Sequence, residues 1–168
     1  MDVKNFISEM SIIVNRLDFE KYFNWFCQKF NLIDKANQLN NCKKNNLHSI
    51  RPRKGDIYLI DFGQNIGSEL NNTHMGIIMQ DSLRNRISDT VVVVPISSSP
   101  KLYDTHEKIL EADLKDGILN KLPSKAKAEQ ITYIDKARLI HKVGELQQDF
   151  INRLEKRILK NLDIKIKE

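Results

Sequence analysis

Two residues able to move protons or steady developing negative charge stand at strand boundaries in the middle of this chain. His74 closes the long polar loop GQNIGSELNNTH, just ahead of the apolar run GIIMQ, and imidazole is the side chain best suited to accept or donate a proton near neutral pH. Ser97 opens the hydroxyl run Ser97-Ser98-Ser99 at the end of TVVVVPIS, where a hydroxyl can hydrogen-bond an oxygen that gains charge in a transition state. Each also has an ordinary structural reading. A lone loop histidine is most often a hydrogen-bonded surface group, and serines ahead of Pro100 commonly satisfy backbone groups where a strand ends. Only their combination points to chemistry, and sequence alone does not bring them together.

Other chemistries find little support. Cys27 and Cys42 have no Cys-x-x-Cys spacing and are expected to form no disulfide, with Cys27 in FNWFCQKF packing as a small hydrophobe. His48, His74, His106 and His141 show neither HExxH nor a paired Cys/His pattern, so no metal site and no cofactor are expected. No apolar run is long enough to span a bilayer, and the start MDVKNFISEM lacks the basic, then apolar, layout of a secretory signal. The chain is therefore expected in the cytoplasm, away from membranes. Its net charge of +5 favours a polyanionic partner but is equally compatible with a solvated Lys-rich surface.

The elements that must position these residues follow from periodicity. Phe6, Met10, Ile13 and Leu17, then Phe19, Phe23, Phe26, Phe30 and Ile33, recur at alternating four- and three-residue steps, which predicts one long or two short amphipathic helices. The apolar stripe is expected to dock on the following domain or on a second subunit. Residues 37–53 turn polar and basic and read as a linker closed by Pro52. From Gly55 the segments GDIYLIDF, GIIMQ, TVVVVPIS, HEKIL and AEQITYI predict short strands of a small barrel, with TVVVVPIS central and covered on both faces. Phe150, Leu154, Ile158 and Leu162 mark a C-terminal amphipathic helix. The expected division is a helical extension at 1–36, a linker at 37–53 and a mainly β domain with helix at 54–163.

The run KGDIYLIDFGQNIGSELNNTHMGIIMQDSLRNRISDTVVVVPISSS, followed by DTHEKI and AEQITYIDKARL, resembles the successive blocks of the MazF/PemK family of toxin-antitoxin ribonucleases, in order and at similar spacing. That resemblance implies an SH3-like small β-barrel with a C-terminal helix, here carrying an N-terminal helical extension. It implies a homodimer, cleavage of single-stranded RNA at short sequences without metal, and neutralisation by an antitoxin protein. The implied reaction is attack of the ribose 2′-hydroxyl on the adjacent phosphorus, leaving a 2′,3′-cyclic phosphate and a 5′-hydroxyl.

By position in the family's motifs, Ser97 stands where a catalytic Thr is usual, so a hydroxyl is retained. His74 stands where Arg is usual, in His74-Met75-Gly76. Arginine is a permanent phosphate clamp, whereas histidine is the better acid or base and the weaker charge. Two outcomes stay open: an active variant using His74, or a catalytically silent barrel that binds nucleic acid or a protein. Arg84, Arg86, Arg51 and Arg53 are candidates to supply the missing charge, or form a solvated rim. Glu69 in GSE, with Glu129 and Gln130 in AEQI, matches family positions near the RNA groove, and Ser98 joins them as a candidate RNA contact. Phe62 and Tyr58 offer stacking faces, although strand aromatics are more often core. His106 is assigned no catalytic role.

Overall fold

The computed structural model describes residues 2–13 and 16–165, with the side chains of 10–18 outside the description, so Met10, Ile13 and Leu17 of the expected stripe lie outside the described residues. Two helices, α1 (Val3–Ile13) and α2 (Arg16–Asn41), precede a mainly antiparallel β unit. Its strands are β1 (Asp56–Asp61), β2 (Thr73–Ile78), β3 (Thr90–Ser97), β4 (His106–Ile109), β5 (Leu114–Gly117), β6 (Ser124–Lys127), β7 (Thr132–Asp135) and β8 (Leu139–Leu146), followed by α3 (Gln148–Asn161). They form one sheet in the order β4-β6-β3-β2-β1-β8-β5, with β7 also paired to β3. The sheet curls into a half-barrel and leaves β4 and β5 as open ends.

All five expected segments contain strands, although the AEQ part of AEQITYI is a 3₁₀ turn (Ala128–Gln130) ahead of β7, and β3 is indeed central, bonded to β2 on one edge and to β7 and then β6 on the other. Three strands escaped the sequence reading. LKDG and SKAK are too short and polar to show alternation, and LIHKVGEL exposes three consecutive residues, Ile140 to Lys142, because β-bulges against β1 break its period.

Pleating divides the core in two. On one face Ile57, Ile77, Val94, Ile96, Ile109 and Ala126 meet Phe150, Ile151 and Leu154 of α3. On the other, Ile60, Phe62, Ile78, Val91, Val93, Ile134 and Leu139 form a second cluster. Each fully buried Leu, Ile or Phe contributes roughly 1.5–3 kcal/mol, so α3, which buries three such side chains, is a main anchor of the sheet. Leu162 is exposed beyond the end of α3 and does not continue its apolar face.

The expected linker is corrected at its start, because α2 runs on through Asn41 and residues 37–41 are helical. Docking outweighs their weak helix propensity: the Lys35 ammonium donates to the carbonyls of Ala137 and Leu139 at 2.7 and 3.1 Å, and Leu39 is half-buried. The remainder is an ordered clasp. Asn45 and Asn46 take left-handed backbone conformations. The buried His48 donates its backbone N–H to the Arg86 carbonyl at 2.7 Å, and Asn85 Nδ2 donates to the Pro52 carbonyl at 2.9 Å. Burial, reinforced by the Lys136 charge, holds the His48 pKa below its ordinary value. Cys27 is also corrected: it is exposed, because the barrel touches α2 on the face that carries Trp25 and Lys35.

Candidate active site and nucleic-acid groove

His74 is the second residue of β2, half-buried and paired across from Ile60 of β1. Its neighbour Met75 packs into the α3-side core, so alternation turns His74 to the opposite face. Ile96 joins the same α3-side core, which turns Ser97 to that opposite face as well. The β2–β3 ladder pairs Ile77 with Val94 and Gly76 with Pro95. Continued by two residues, this register sets His74 across from Ser97. No hydrogen bond joins the two side chains among the described residues; Ser97 Oγ accepts the Ser99 N–H at 3.2 Å, the turn interaction expected of a strand-ending serine. Ser98 follows, exposed.

A groove of about 870 Å³ opens on this same face. One wall is the β1–β2 loop, contributing Glu69; the other is formed by Glu129, Gln130 and Tyr133, with Arg138 also lining it. Because β7 runs antiparallel to β3, with Val93 opposite Thr132, Gln130 lies alongside the part of β3 that leads to Ser97. The structure thus gathers Glu69, Glu129 and Gln130 at one groove. His74 and Ser97 share the sheet face but do not line the groove, and neither does Ser98, which lies beyond the end of β3.

The groove residues are held by distinct means. Glu69 Oε2 accepts the Ile66 N–H at 3.2 Å, closing the loop on itself, so Glu69 is both a loop brace and a groove wall. Glu129 is braced by the buried His106, whose Nδ1 accepts the Tyr103 N–H at 3.1 Å, leaving Nε2 to donate to Glu129 Oε1 at 2.9 Å. Burial works against ionisation of Glu129, but hydrogen bonds from its own backbone and from His106 and Thr105 outweigh it and hold the pKa below the usual carboxylate value. Gln130 lines the groove, and its Oε1 is buried without a hydrogen-bond partner among the described residues.

Arg84 and Arg86 are exposed on a 3₁₀ turn in the β2–β3 connection. In an antiparallel hairpin that turn lies at the far end from His74 and Ser97, roughly 20 Å along β2 at 3.3 Å per residue. The arginines are not brought to the site. Phe62 is buried in the second core cluster and Tyr58 packs against it, so the structural reading holds for both. The residues that sequence reasoning missed are Tyr133, 68% exposed on the groove wall, and Arg138. Arg138 donates to the Asp61 carbonyl at 3.0 Å and lies over the Trp25 ring of α2 at 5.5 Å. Both stand inside the ITYIDKARL block; their signal was an aromatic and a cation at the end of a segment read only for its apolar pattern.

No helix among the described residues is long and apolar enough to cross a membrane, and no group of three or more His, Cys, Asp or Glu able to hold a metal occurs among them.

Comparison with known proteins fits this geometry. The family model described as PemK-like, MazF-like toxin of type II toxin-antitoxin system matches residues 53–162. Endoribonuclease EndoA of Bacillus subtilis is 29% identical over 105 residues, covering 61% of this chain and 87% of that protein. Endoribonuclease MazF9 of Mycobacterium tuberculosis is 26% identical over 118 residues, covering 67% of this chain and 97% of that protein. Among solved structures, a mycobacterial endoribonuclease in complex with its cognate antitoxin shares the fold, with a TM-score of 0.56 at 20% identity over 69% of this chain and 99% of that one. With the match spanning the whole β unit and α3, the chain belongs to the PemK-like, MazF-like family of toxins of type II toxin-antitoxin systems.

Proposed function

We propose that this protein is a toxin endoribonuclease that cleaves single-stranded RNA by metal-independent transesterification and is neutralised by an antitoxin. The observation that carries the reading is the groove of Glu69, Glu129, Gln130, Tyr133 and Arg138, open on the sheet face to which His74 and Ser97 turn. Family membership over residues 53–162 and two relatives named as endoribonucleases support it. The working unit is residues 54–163, acting as a homodimer in the cytoplasm, with residues 1–36 and the segment at 37–53 appended to it.

In the proposed reaction the 2′-oxygen of one ribose attacks the adjacent phosphorus, and the bond from phosphorus to the 5′-oxygen of the next nucleotide breaks. The 2′-hydroxyl proton leaves to a base and the departing 5′-oxygen takes one from an acid. His74 moves a proton at one of these two oxygens. Ser97 donates a hydrogen bond to a phosphoryl oxygen as it gains charge. Glu129, kept ionised, accepts from an exocyclic base amine, and the Gln130 side-chain amide on the groove wall hydrogen-bonds the base edge beside it. Tyr133 offers a stacking face, and Arg138 supplies a permanent cation to the backbone in place of the arginine usual at position 74. DNA has no 2′-hydroxyl and stays intact.

The test is digestion of a long single-stranded RNA in EDTA with analysis of both new ends. Cyclic phosphate and 5′-hydroxyl termini are expected. Tight RNA binding with no product would favour the silent-barrel reading that the histidine at 74 raises.

A further inference from the structure

The helix α2 presents a seam that remains exposed among the described residues. Phe23 and Phe30, with Phe26 and Ile33, alternate at three and four residues and are 44%, 57%, 57% and 48% exposed. Phe19 stacks on Phe23 at 6.0 Å and extends the line. The barrel docks elsewhere on the helix. Trp25, Leu32, Lys35 and Leu39 are half-buried, Lys35 bonds the carbonyls of Ala137 and Leu139, and a Cβ at Gly63 would overlap the Trp25 ring. A seven-residue repeat of apolar pairs, turned to solvent on a helix fixed from behind, is the geometry of a coiled-coil seam.

The flanking charges state what covers it. With Phe23, Phe30 and Asn37 at the first core position of each heptad and Phe19, Phe26 and Ile33 at the fourth, Lys29 and Asp34 fall at the two flanking positions. They are five residues apart, the spacing that pairs across a parallel, in-register dimer. Lys29 makes no ion pair within the chain among the described residues, and Asp34 accepts a hydrogen bond from Gln38 through Oδ2 alone. An antiparallel copy would instead oppose Lys29 to Lys29 once and Glu20 to Asp34 twice, three like-charge contacts. Asn37 at a core position further favours fixed register.

We infer that α2 is a self-association surface: the seam from Phe19 to Ile33 takes the α2 of a second copy in parallel register, closed by reciprocal Lys29–Asp34 pairs. The full-length chain with Phe26→Cys in a Cys27→Ser, Cys42→Ser background is expected to form a disulfide-linked dimer on mild oxidation. The chain retaining only Cys27, with Cys42→Ser, is expected to stay monomeric on a denaturing gel. Lys29→Glu in the cross-linking variant should slow dimer formation about tenfold, from two exposed pairs turned repulsive, and adding Asp34→Lys should restore it. Cross-linking through Cys27 but not position 26 would overturn the inference in favour of an antiparallel pair. No cross-link in either chain, or no effect of the charge swap, would overturn it in favour of a partner of other chemistry, such as an antitoxin helix. None of these readouts depends on RNA cleavage.

Discussion

His74→Ala and Ser97→Ala are expected to lower kcat by about 10²–10⁴ and 10²–10³ respectively, with little change in Tm, because both side chains are half-exposed and belong to neither core cluster. Gln130→Ala should act mainly on KM, since the side chain lines the groove rather than standing with His74 and Ser97, and Tyr133→Ala should cost about 1–3 kcal/mol of RNA binding in a titration. Lys136 answers to stability instead. It is wholly buried, donates to the Asn85 and Ser88 carbonyls at 2.6 and 2.5 Å, and burial pushes its pKa down to about 8. Between about pH 8 and the ordinary lysine value of 10.5, the unfolded chain holds a proton that the folded chain has released. Stability conferred at this position therefore rises with pH across that window. Unfolding free energies of the native chain and Lys136→Met should diverge in the native chain's favour from pH 8 to 10.5; a constant or shrinking difference would refute the assignment. Much of what made the sequence recognisable turns out to be such scaffolding. Asp56 takes the Arg53 N–H and pairs with Lys142, Asn85 bridges Pro52 and Gln80, and Asp135 caps the turn before Arg138. The pairing of Asp56 with Lys142 and of Asn85 with Pro52 spans distances along the chain that no spacing rule reveals, whereas His74 and Ser97 were legible because each stands at the boundary of a readable strand.

At the scale of elements, long periodic segments were plain and short polar ones were not. TVVVVPIS and the Phe150–Leu154 stripe declare their burial through composition, whereas SKAK hides a strand in which Ser124 and Lys125 are buried between β3 and β4. Leu154→Ala should cost about 2–5 kcal/mol in denaturant unfolding, because it removes side-chain volume where α3 meets the sheet. The helix α2 tests differently. Trp25 sits between Gly63 and the Arg138 guanidinium, so Trp25→Ala is expected to raise KM for RNA through a loosened Arg138, with kcat retained. An unchanged KM would make α2 a packing layer with no hold on the groove. Neither contact was visible in sequence, since the apolar stripe of α2 suggested docking through its phenylalanines and the barrel uses the other side.

At the scale of the molecule, a half-barrel sealed on one face by α3 leaves its other face for the groove, and the net charge of +5 provides a general attraction for a polyanion. The logarithm of the RNA binding constant should therefore fall linearly with the logarithm of salt concentration, at a slope near −0.7 for each phosphate neutralised on a single strand, and Arg138→Ala should reduce that slope by about one contact. A single digestion tests His74-dependent RNA cleavage. Full-length protein and its His74→Ala variant are each incubated with a long single-stranded RNA in EDTA, and the new termini are identified. Cleavage is expected from the native chain alone, at discrete sites, with 2′,3′-cyclic phosphate and 5′-hydroxyl ends. Intact RNA, a requirement for divalent metal, 5′-phosphate ends, or equal cleavage by His74→Ala would contradict it.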